Sequence, residues 1–302
     1  MWFRNLQIYQ LYQDFELTAE ALHEQLEADR FTPCGSLQLQ SQGWVSPLGR
    51  DWQMLTHASN GCIMVCARRE DRLLPSAVVR EALADKVAEI EAAETRHIGR
   101  KEQTQLKDEI IQDLLPRAFT RSSRQYAYID SKNGWIVVDS TTPKKAEELI
   151  SLLRESLGSL KARPTQVEQS PSAVMTGWLQ QTPAADFVVQ DECELVEPVE
   201  GGSIVRCRRQ DLASDEIGVH LEAGKLVAKL AVEWQERLSC VLSDDLSVKR
   251  LRFLDLVMEE AGDIQTDDEA ARFDADFALM NMELSRFIPA MLQAFGGLAQ
   301  QV

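Results

Sequence analysis

The residues best suited to catalysis in this sequence are acidic, and their spacing argues against an active site. Asp130, Ser131 and Lys132 match one half of a metal-dependent nuclease signature. That chemistry needs a strand to hold a carboxylate and a lysine beside a second acid, so that metal and attacking water share one pocket. Here Lys132 falls inside a predicted hairpin turn. A metal-dependent nuclease is therefore the third and least favoured hypothesis.

The other candidate groups for metal or cofactor chemistry are scattered. Asp274 and Asp276 lie near Glu269, but residues two apart on a helix point to different faces, so a solvated helix face explains them better. The four histidines are far apart in sequence, and neither GxxxxGK[ST] nor GxGxxG occurs. We predict no catalytic residues, no metal and no cofactor, and hence a protein that is not an enzyme.

The six cysteines do not form a metal-binding pattern. Cys62 and Cys66 are four apart in a strand-like run, whereas zinc sites use close pairs in turns with a second pair elsewhere. Buried free thiols in a reducing compartment are the better interpretation. The sequence has no apolar run of 18 residues and no signal-peptide pattern at its start, so we expect a cytoplasmic protein without a membrane partner.

Charge is distributed unevenly along the chain. Its 302 residues include 32 Lys and Arg against 48 Asp and Glu, a net charge of −16. Residues 96–124 reverse this balance with seven cations against four acids, which leaves −19 for the remainder. Recognition depends on the field within about 8–10 Å, so a local basic surface can bind a polyanion that the rest of the protein repels.

Further cations lie on predicted strands, where alternation places them on one face and apolar residues on the other. Such a face suits contacts with phosphates that do not depend on sequence. The alternative is that these cations pair with the abundant carboxylates. The predicted DNA-binding residues are Arg96, Arg100, Lys101, Arg117, Arg121, Arg206, Arg208, Lys225, Lys229, Lys249 and Arg250.

The pattern of apolar residues predicts an α+β fold. Asn60-Gly61 and Asn133-Gly134 each predict a tight hairpin between strands. Residues 76–114 predict two helices around Gly99, either as a protruding helical hairpin or as an ordinary surface pair. Residues 158–172, which contain two prolines and few apolar residues, predict the main domain boundary. The predicted strands are 6–12, 52–57, 62–67, 126–130, 135–139, 204–209, 226–234 and 247–253, and the predicted C-terminal helix is 268–295.

Several longer motifs carry a resemblance to one known family. They are FTPCGS at 31–36, LTH at 55–57 with Asn60-Gly61, LLPRAF at 114–119, LLR at 152–154 with SLGSL at 156–160, EAGK at 222–225 and RFDADF at 272–277. On these segments the chain resembles, essentially from end to end, the RdgC family of bacterial recombination-associated, nucleoid-associated proteins.

That resemblance implies a horseshoe-shaped α+β subunit with mixed or antiparallel sheets and a protruding helical tip. The implied domains are a central domain (1–75 and 125–162), a tip (76–124) and a base (163–302). Two subunits would close into a ring that encircles double-stranded DNA without sequence preference and limits the access of the RecA recombinase. Whether single-stranded DNA also binds stays open.

The resemblance also assigns two dimer contacts. Phe119, in the LLPRAF motif, would belong to a contact between tips, and Arg209 with Gln210 to a contact between bases. The residues themselves favour the first contact, because Pro116 ends a helix and leaves Phe119 little of its own subunit to pack against. A nucleoid-associated, DNA-encircling homodimer is thus the leading hypothesis. The main rival is an acidic decoy that binds a basic protein partner.

Overall fold

A computed structural model describes residues 1–184, 186–262 and 268–299, so the predicted base range, 163–302, includes some residues outside it. The described residues contain twelve strands. These are β1 (Leu6–Leu11), β2 (Gln40–Val45), β3 (Thr56–Ser59), β4 (Cys62–Leu73), β5 (Phe119–Asp130), β6 (Trp135–Asp139), β7 (Ala162–Pro164), β8 (Phe187–Val196), β9 (Ile204–Arg208), β10 (Leu226–Trp234), β11 (Leu238–Ser243) and β12 (Val248–Phe253).

Eight α-helices accompany the strands in the described part of the chain. They are α1 (Ala19–Leu26), α2 (Ser76–Glu94), α3 (Arg100–Leu114), α4 (Pro143–Ser156), α5 (Pro171–Gln180), α6 (Asp215–Glu222), α7 (Asp255–Gly262) and α8 (Glu269–Ala294). The protein is therefore a mixed α/β structure.

All twelve strands join one antiparallel sheet in the order β2-β4-β5-β6-β1-β12-β11-β10-β8-β9, with β3 paired to β4 and β7 to β1. Strand β1 connects the two halves, because it pairs along its length with β6 and meets β12 at Leu6 opposite Val248. We call β2 to β6 the N-terminal half of the sheet and β8 to β12 the C-terminal half.

The two faces of the N-terminal half pack against different helices. Ile63 and Val65 of β4 lie in a buried cluster that includes α1 and α4, while Met64 lies in a second cluster that includes α5 and α8. Since neighbouring residues of a strand point to opposite faces, this half is covered on both sides.

The C-terminal half of the sheet is covered on one face. Cys193 and Leu195 of β8 point into the cluster with α5 and α8, together with apolar residues of β10 and β11. Glu192 and Glu194 alternate with them and therefore lie on the opposite face. That face carries charged residues instead of a helix layer, which makes it available to a ligand.

Both predicted hairpins are confirmed. Asn60 and Gly61 adopt φ values of 50° and 77° between β3 and β4, as a primed turn requires. In the second turn, Asp130 accepts hydrogen bonds from the backbone and side-chain nitrogens of Asn133. The bounds of β10 are as predicted, and α2 and α3 pair as a helical hairpin around Gly99.

Several predicted bounds are wrong. Strands β4 and β5 are each twelve residues long and pair throughout, from Cys62 opposite Asp130 to Leu73 opposite Phe119. Their outer parts are mostly polar and lack the alternation that marks a strand in sequence, because side-chain burial does not drive the pairing there. In the predicted boundary loop, β7 pairs with β1. Strand β8 and helices α5 and α6 were not predicted.

Candidate nucleic-acid interface

Five of the predicted DNA-binding residues gather on the exposed face of the C-terminal half. Their strands are not direct neighbours as expected, because β8 lies between β9 and β10 and β11 lies between β10 and β12. The side chains nevertheless line one groove of about 300 Å³, here called the basic groove. Its cations are Arg206, Arg208, Lys229, Lys249 and Arg250.

Two carboxylates from β8 lie among these cations. Glu194 accepts hydrogen bonds from Arg206 Nε at 2.7 Å and from Lys229 Nζ at 2.8 Å. Glu192 contacts Arg250 Nη2 at 2.7 Å and Arg208 Nε at 3.5 Å. Five cations against two carboxylates leave the groove a net charge of +3. The alternative weighed from sequence, pairing with carboxylates, is thus realised for four of the five cations.

A β-bulge sets the direction of Arg250. On β12 the register slips against β11 between Ser239 and Val241, and Arg250 adopts a left-handed φ of 51°. The backbone nitrogen of Arg250 donates to Asn5 Oδ1 at 3.3 Å. Bulges re-aim a side chain, and here the bulge brings the guanidinium of Arg250 to Glu192 across the sheet.

A second basic surface adjoins the groove. A cleft of about 960 Å³, here called the basic cleft, lies beside β4, β5 and the start of α4. Asn5 and Thr141 line both the cleft and the groove, so the two surfaces are continuous. The cations of the cleft are Arg4, Arg69, Arg72, Arg121, Arg124, Lys144 and Lys145.

Two of the cleft arginines are committed to the fold. Arg72 donates five hydrogen bonds to the carbonyl oxygens of Cys34, Gly35, Leu115 and Ala118, at 2.9 to 3.4 Å. It therefore ties the end of the helical hairpin to the loop before β2, which joins two of the motifs that carry the family resemblance.

Arg69 is likewise held, by Asp71 at 2.8 Å and Glu148 at 3.0 Å. Arg121 is 3.9 Å from Asp71 and mostly exposed. The other four cations of the cleft form no ion pair with any residue that the structure describes. They are Arg4, Arg124, Lys144 and Lys145.

The basic segment 96–124 is divided in the structure. Arg96, Arg100 and Lys101 lie at the turn between α2 and α3, where Arg96 binds Glu94 and Glu102. Arg117 and Arg121 lie at the other end of α3. A helix of 15 residues is about 22 Å long, so the two groups do not form one patch. Of these five residues, only Arg121 lines the cleft.

Phe119 is the most exposed large apolar side chain among the described residues, at 84%. The sequence placed it at the end of a polar tip, but it begins β5 opposite Leu73, where the hairpin returns to the sheet. Leu73, which pairs with Phe119 across the two strands, is also exposed. The difference follows from the unexpected length of β5.

The remaining predicted residues lie around the edge of the C-terminal half. Lys225 donates to the hydroxyl of Ser203 and is not part of the groove lining. Arg209, directly after β9, has a left-handed φ of 53°. Gln210 Nε2 donates to Glu216 at 2.9 Å and lines a separate apolar groove with Trp178 and Phe187.

The candidate catalytic acids are held by structural contacts. Asp130 caps the hairpin turn described above, and Asp274 lies 2.9 Å from His57 Nε2. No group of three His, Cys, Asp or Glu residues in the described ranges could hold a metal ion. In the same ranges, no helix has the length and apolar character needed to cross a membrane.

The structure adds functional candidates that the sequence did not suggest. Lys144 and Lys145 occupy the first turn of α4, where acidic residues are usual, and this inversion was a readable signal. Glu192 and Glu194 alternate with Cys193 and Leu195, a two-residue period that would have identified β8. Arg4 gave no sequence signal, because it reaches the cleft only through the pairing of β1.

Comparisons with known proteins identify the family of this chain. A family model described as "Putative exonuclease, RdgC" matches residues 1–298. The recombination-associated protein RdgC of Aeromonas hydrophila is 48% identical over 303 residues, covering all of both chains. The proteins of the same name from Serratia proteamaculans and Yersinia pestis are each 46% identical, covering 100% and 99% of both chains. The chain belongs to the RdgC family.

Proposed function

We propose that this protein binds double-stranded DNA without sequence preference, as a homodimer that encircles the duplex. By occupying the DNA it limits the access of the RecA recombinase. The protein acts without catalysis and works in the cytoplasm, at the nucleoid. The names of its relatives, which associate them with recombination, support a role at DNA.

The observation that carries the proposal is the continuous basic surface on an acidic protein. The groove has a net charge of +3 while the whole chain has −16. Since an acidic exterior repels phosphates, DNA affinity must come from the groove and the cleft beside it. Each contact there is weak, and many contacts together bind a polyanion.

The position of the cations on strands supports binding that ignores base sequence. None of the residues lining the groove belongs to a helix. Base readers usually insert a helix or a two-stranded ribbon into the major groove, and a broad sheet face contacts the phosphate backbone instead. We therefore expect unrelated duplexes of equal length to bind with near-equal affinity, and a hundredfold preference for one sequence would contradict this.

A salt titration with duplex DNA tests the proposal. Each neutralised phosphate should contribute about −0.9 to the slope of log K against log salt, so the five groove cations can contribute at most roughly −4 to −5 per subunit. Release from circular and short linear duplexes at high salt tests encirclement, because a closed ring can slide off a linear end but not off a circle.

Each outcome separates the hypotheses. Equal release from circles and linear duplexes would mean surface binding instead of encirclement. Absence of DNA binding at every salt concentration would favour an acidic protein that binds a basic partner. Degradation of plasmid in the presence of magnesium would show an enzyme, as the description of the family model suggests.

The dimer is tested at Phe119. Its exposed ring, opposite Leu73, would lose apolar surface worth about 1.5–3 kcal/mol per side if buried against a second copy. Phe119→Ser should weaken self-association without lowering the unfolding temperature, because the side chain contributes little to its own subunit. Val219→Ser, at another exposed apolar residue, is the control. An unchanged mass by light scattering together with unchanged DNA retention would reject this contact.

A further inference from the structure

Every carboxylate in the basic groove is shared between two cations. Glu194 bridges Arg206 and Lys229, and Glu192 bridges Arg250 and Arg208. The two acids are two residues apart on one strand face, a separation of roughly 7 Å. That is of the order of the distance between successive phosphates along one nucleic-acid strand. The carboxylates thus occupy the groove in the manner of two consecutive phosphates.

The two acids are more buried than the arginines that pair with them. The side chains of Glu194 and Glu192 are only 15% and 25% exposed, whereas those of Arg206 and Arg208 are 64% and 71% exposed. Burial by itself raises the pKa of Glu194, but hydrogen bonds from Lys229 and Arg206 outweigh it, so that pKa lies below its ordinary value. The carboxylate stays charged, and an incoming phosphate must take the cations from it.

Such an exchange is favourable only for a ligand with several linked charges. A lone phosphate can replace one carboxylate at most and is repelled by the other. A polymer replaces both in one event, since its second contact is intramolecular after the first. Both arginines of these ion pairs are mostly exposed, so their exchange from a carboxylate to a phosphate costs the fold little stability.

We propose that Glu192 and Glu194 determine the specificity of the basic groove by acting as internal competitors. They mask its cations from single phosphates and mononucleotides and yield them to a polymer of linked phosphates. This inference rests on the proposed DNA binding. It adds that the groove rejects ligands with a single phosphate. The groove therefore selects its ligand in two ways: its cations attract a nucleic acid, and Glu192 and Glu194 repel small anions.

The test compares the wild-type protein with Glu192→Gln/Glu194→Gln. Fluorescence anisotropy with a short duplex should show roughly tenfold tighter binding by the variant. The salt slope should steepen by about one to two, because no freed carboxylate takes up a counterion when DNA binds. Inorganic pyrophosphate is a suitable probe, because its two phosphates share one bridging oxygen and lie too close together to replace both carboxylates at once. Calorimetry with it, without DNA, should detect binding to the variant and none to the wild type.

A matched control removes the same charge elsewhere. Glu16→Gln/Glu24→Gln changes two exposed acids at and before α1, outside the groove lining. It should leave pyrophosphate binding absent and change DNA affinity less than about twofold, since distant exposed charges are screened. Thermal unfolding of each variant shows whether it is folded.

The outcomes separate this inference from the proposed function. DNA binding by the groove variant that is no tighter than that of the control overturns the inference, because the carboxylates would then only position the cations. Pyrophosphate binding by the wild type overturns it too. Absence of wild-type DNA binding overturns the proposed function, while the pyrophosphate comparison still decides whether the acids mask the groove.

Discussion

The basic groove and the basic cleft carry comparable numbers of cations and hold them differently. In the groove, four of five cations are paired with two acids on β8. In the cleft, Arg69 and Arg72 serve the fold, while Lys144 and Lys145 are exposed, without an ion pair to the residues described. The groove is therefore ordered and partly masked, and the cleft is open. A count of charges alone would not distinguish them.

This comparison assigns different roles to the two surfaces. Unpaired exposed cations act mainly through their long-range field, which raises the rate of association. Ordered cations that touch the ligand act mainly on the rate of dissociation. We therefore expect the cleft to attract DNA and the groove to retain it.

The largest expected effect comes from reversing the charge of two arginines in the basic groove. Arg206→Glu/Arg208→Glu removes two phosphate contacts and leaves Glu192 and Glu194 with less compensation. Duplex affinity should fall roughly a hundredfold on all sequences alike, and the salt slope should flatten by about two. Anisotropy over about 50–200 mM salt measures both quantities.

The control for the groove reverses two exposed cations outside it, Lys132→Glu/Lys161→Glu. Its affinity should stay within a few-fold of wild type, because exposed charges beyond a Debye length are screened. If the groove variant kept full affinity for DNA, the binding site would lie in the cleft and not in the groove.

A smaller effect is expected from reversing the charge of two lysines in the basic cleft. Lys144→Glu/Lys145→Glu should lower duplex affinity roughly tenfold, almost wholly through slower association at low salt. Stopped-flow mixing separates the two rates. A faster dissociation with unchanged association would reverse the roles assigned to groove and cleft.

The smallest effect concerns thiols buried beneath the two surfaces. Burial raises the pKa of Cys66, in β4 of the cleft, and of Cys240, in β11 of the groove half, to about 12. The ordinary pKa of a thiol is about 8.5. Above that pH the unfolded chain releases protons that the folded chain keeps. Stability is therefore complete below about pH 8.5 and falls as the pH rises toward about 12.

Replacing one thiol at a time shows how much each half of the sheet contributes to this loss of stability at alkaline pH. Cys66→Ala and Cys240→Ala should each reduce the alkaline loss by about 1.4 kcal/mol per pH unit, besides a constant cost of the cavity. Urea unfolding between pH 8 and pH 10 provides the slope. If only one substitution flattens it, the other thiol ionises within the folded protein.

Parts of the fold were predictable because burial repeats with the period of the element. Strand β10 was found with its bounds, since Leu230, Val232 and Trp234 point into one core. The outer parts of β4 and β5 were not, because they pair through their backbones while their side chains are polar. The groove cations were found for the same reason as β10. The acids that pair with these cations were not identified, because they lie on β8, which was not predicted.

The proposed contact between tips and the proposed ring would each need a second copy of the chain, and no periodicity within one chain specifies such contacts. The cleft depends on contacts between residues that are far apart in sequence, such as Arg4 and Arg124. A reading of local patterns finds neither.

The position of β1 in the middle of the sheet also affects how the chain folds during its synthesis. Leu6 pairs with Val248, 242 residues later in the chain. At about 5–20 residues per second, β1 is without this partner for roughly 12–50 s after leaving the ribosome. Its Leu6 and Ile8, both buried in the finished protein, stay accessible to water and to other chains in that interval. Pairings across such distances also slow folding, so we expect the newly made chain to reach its final structure slowly.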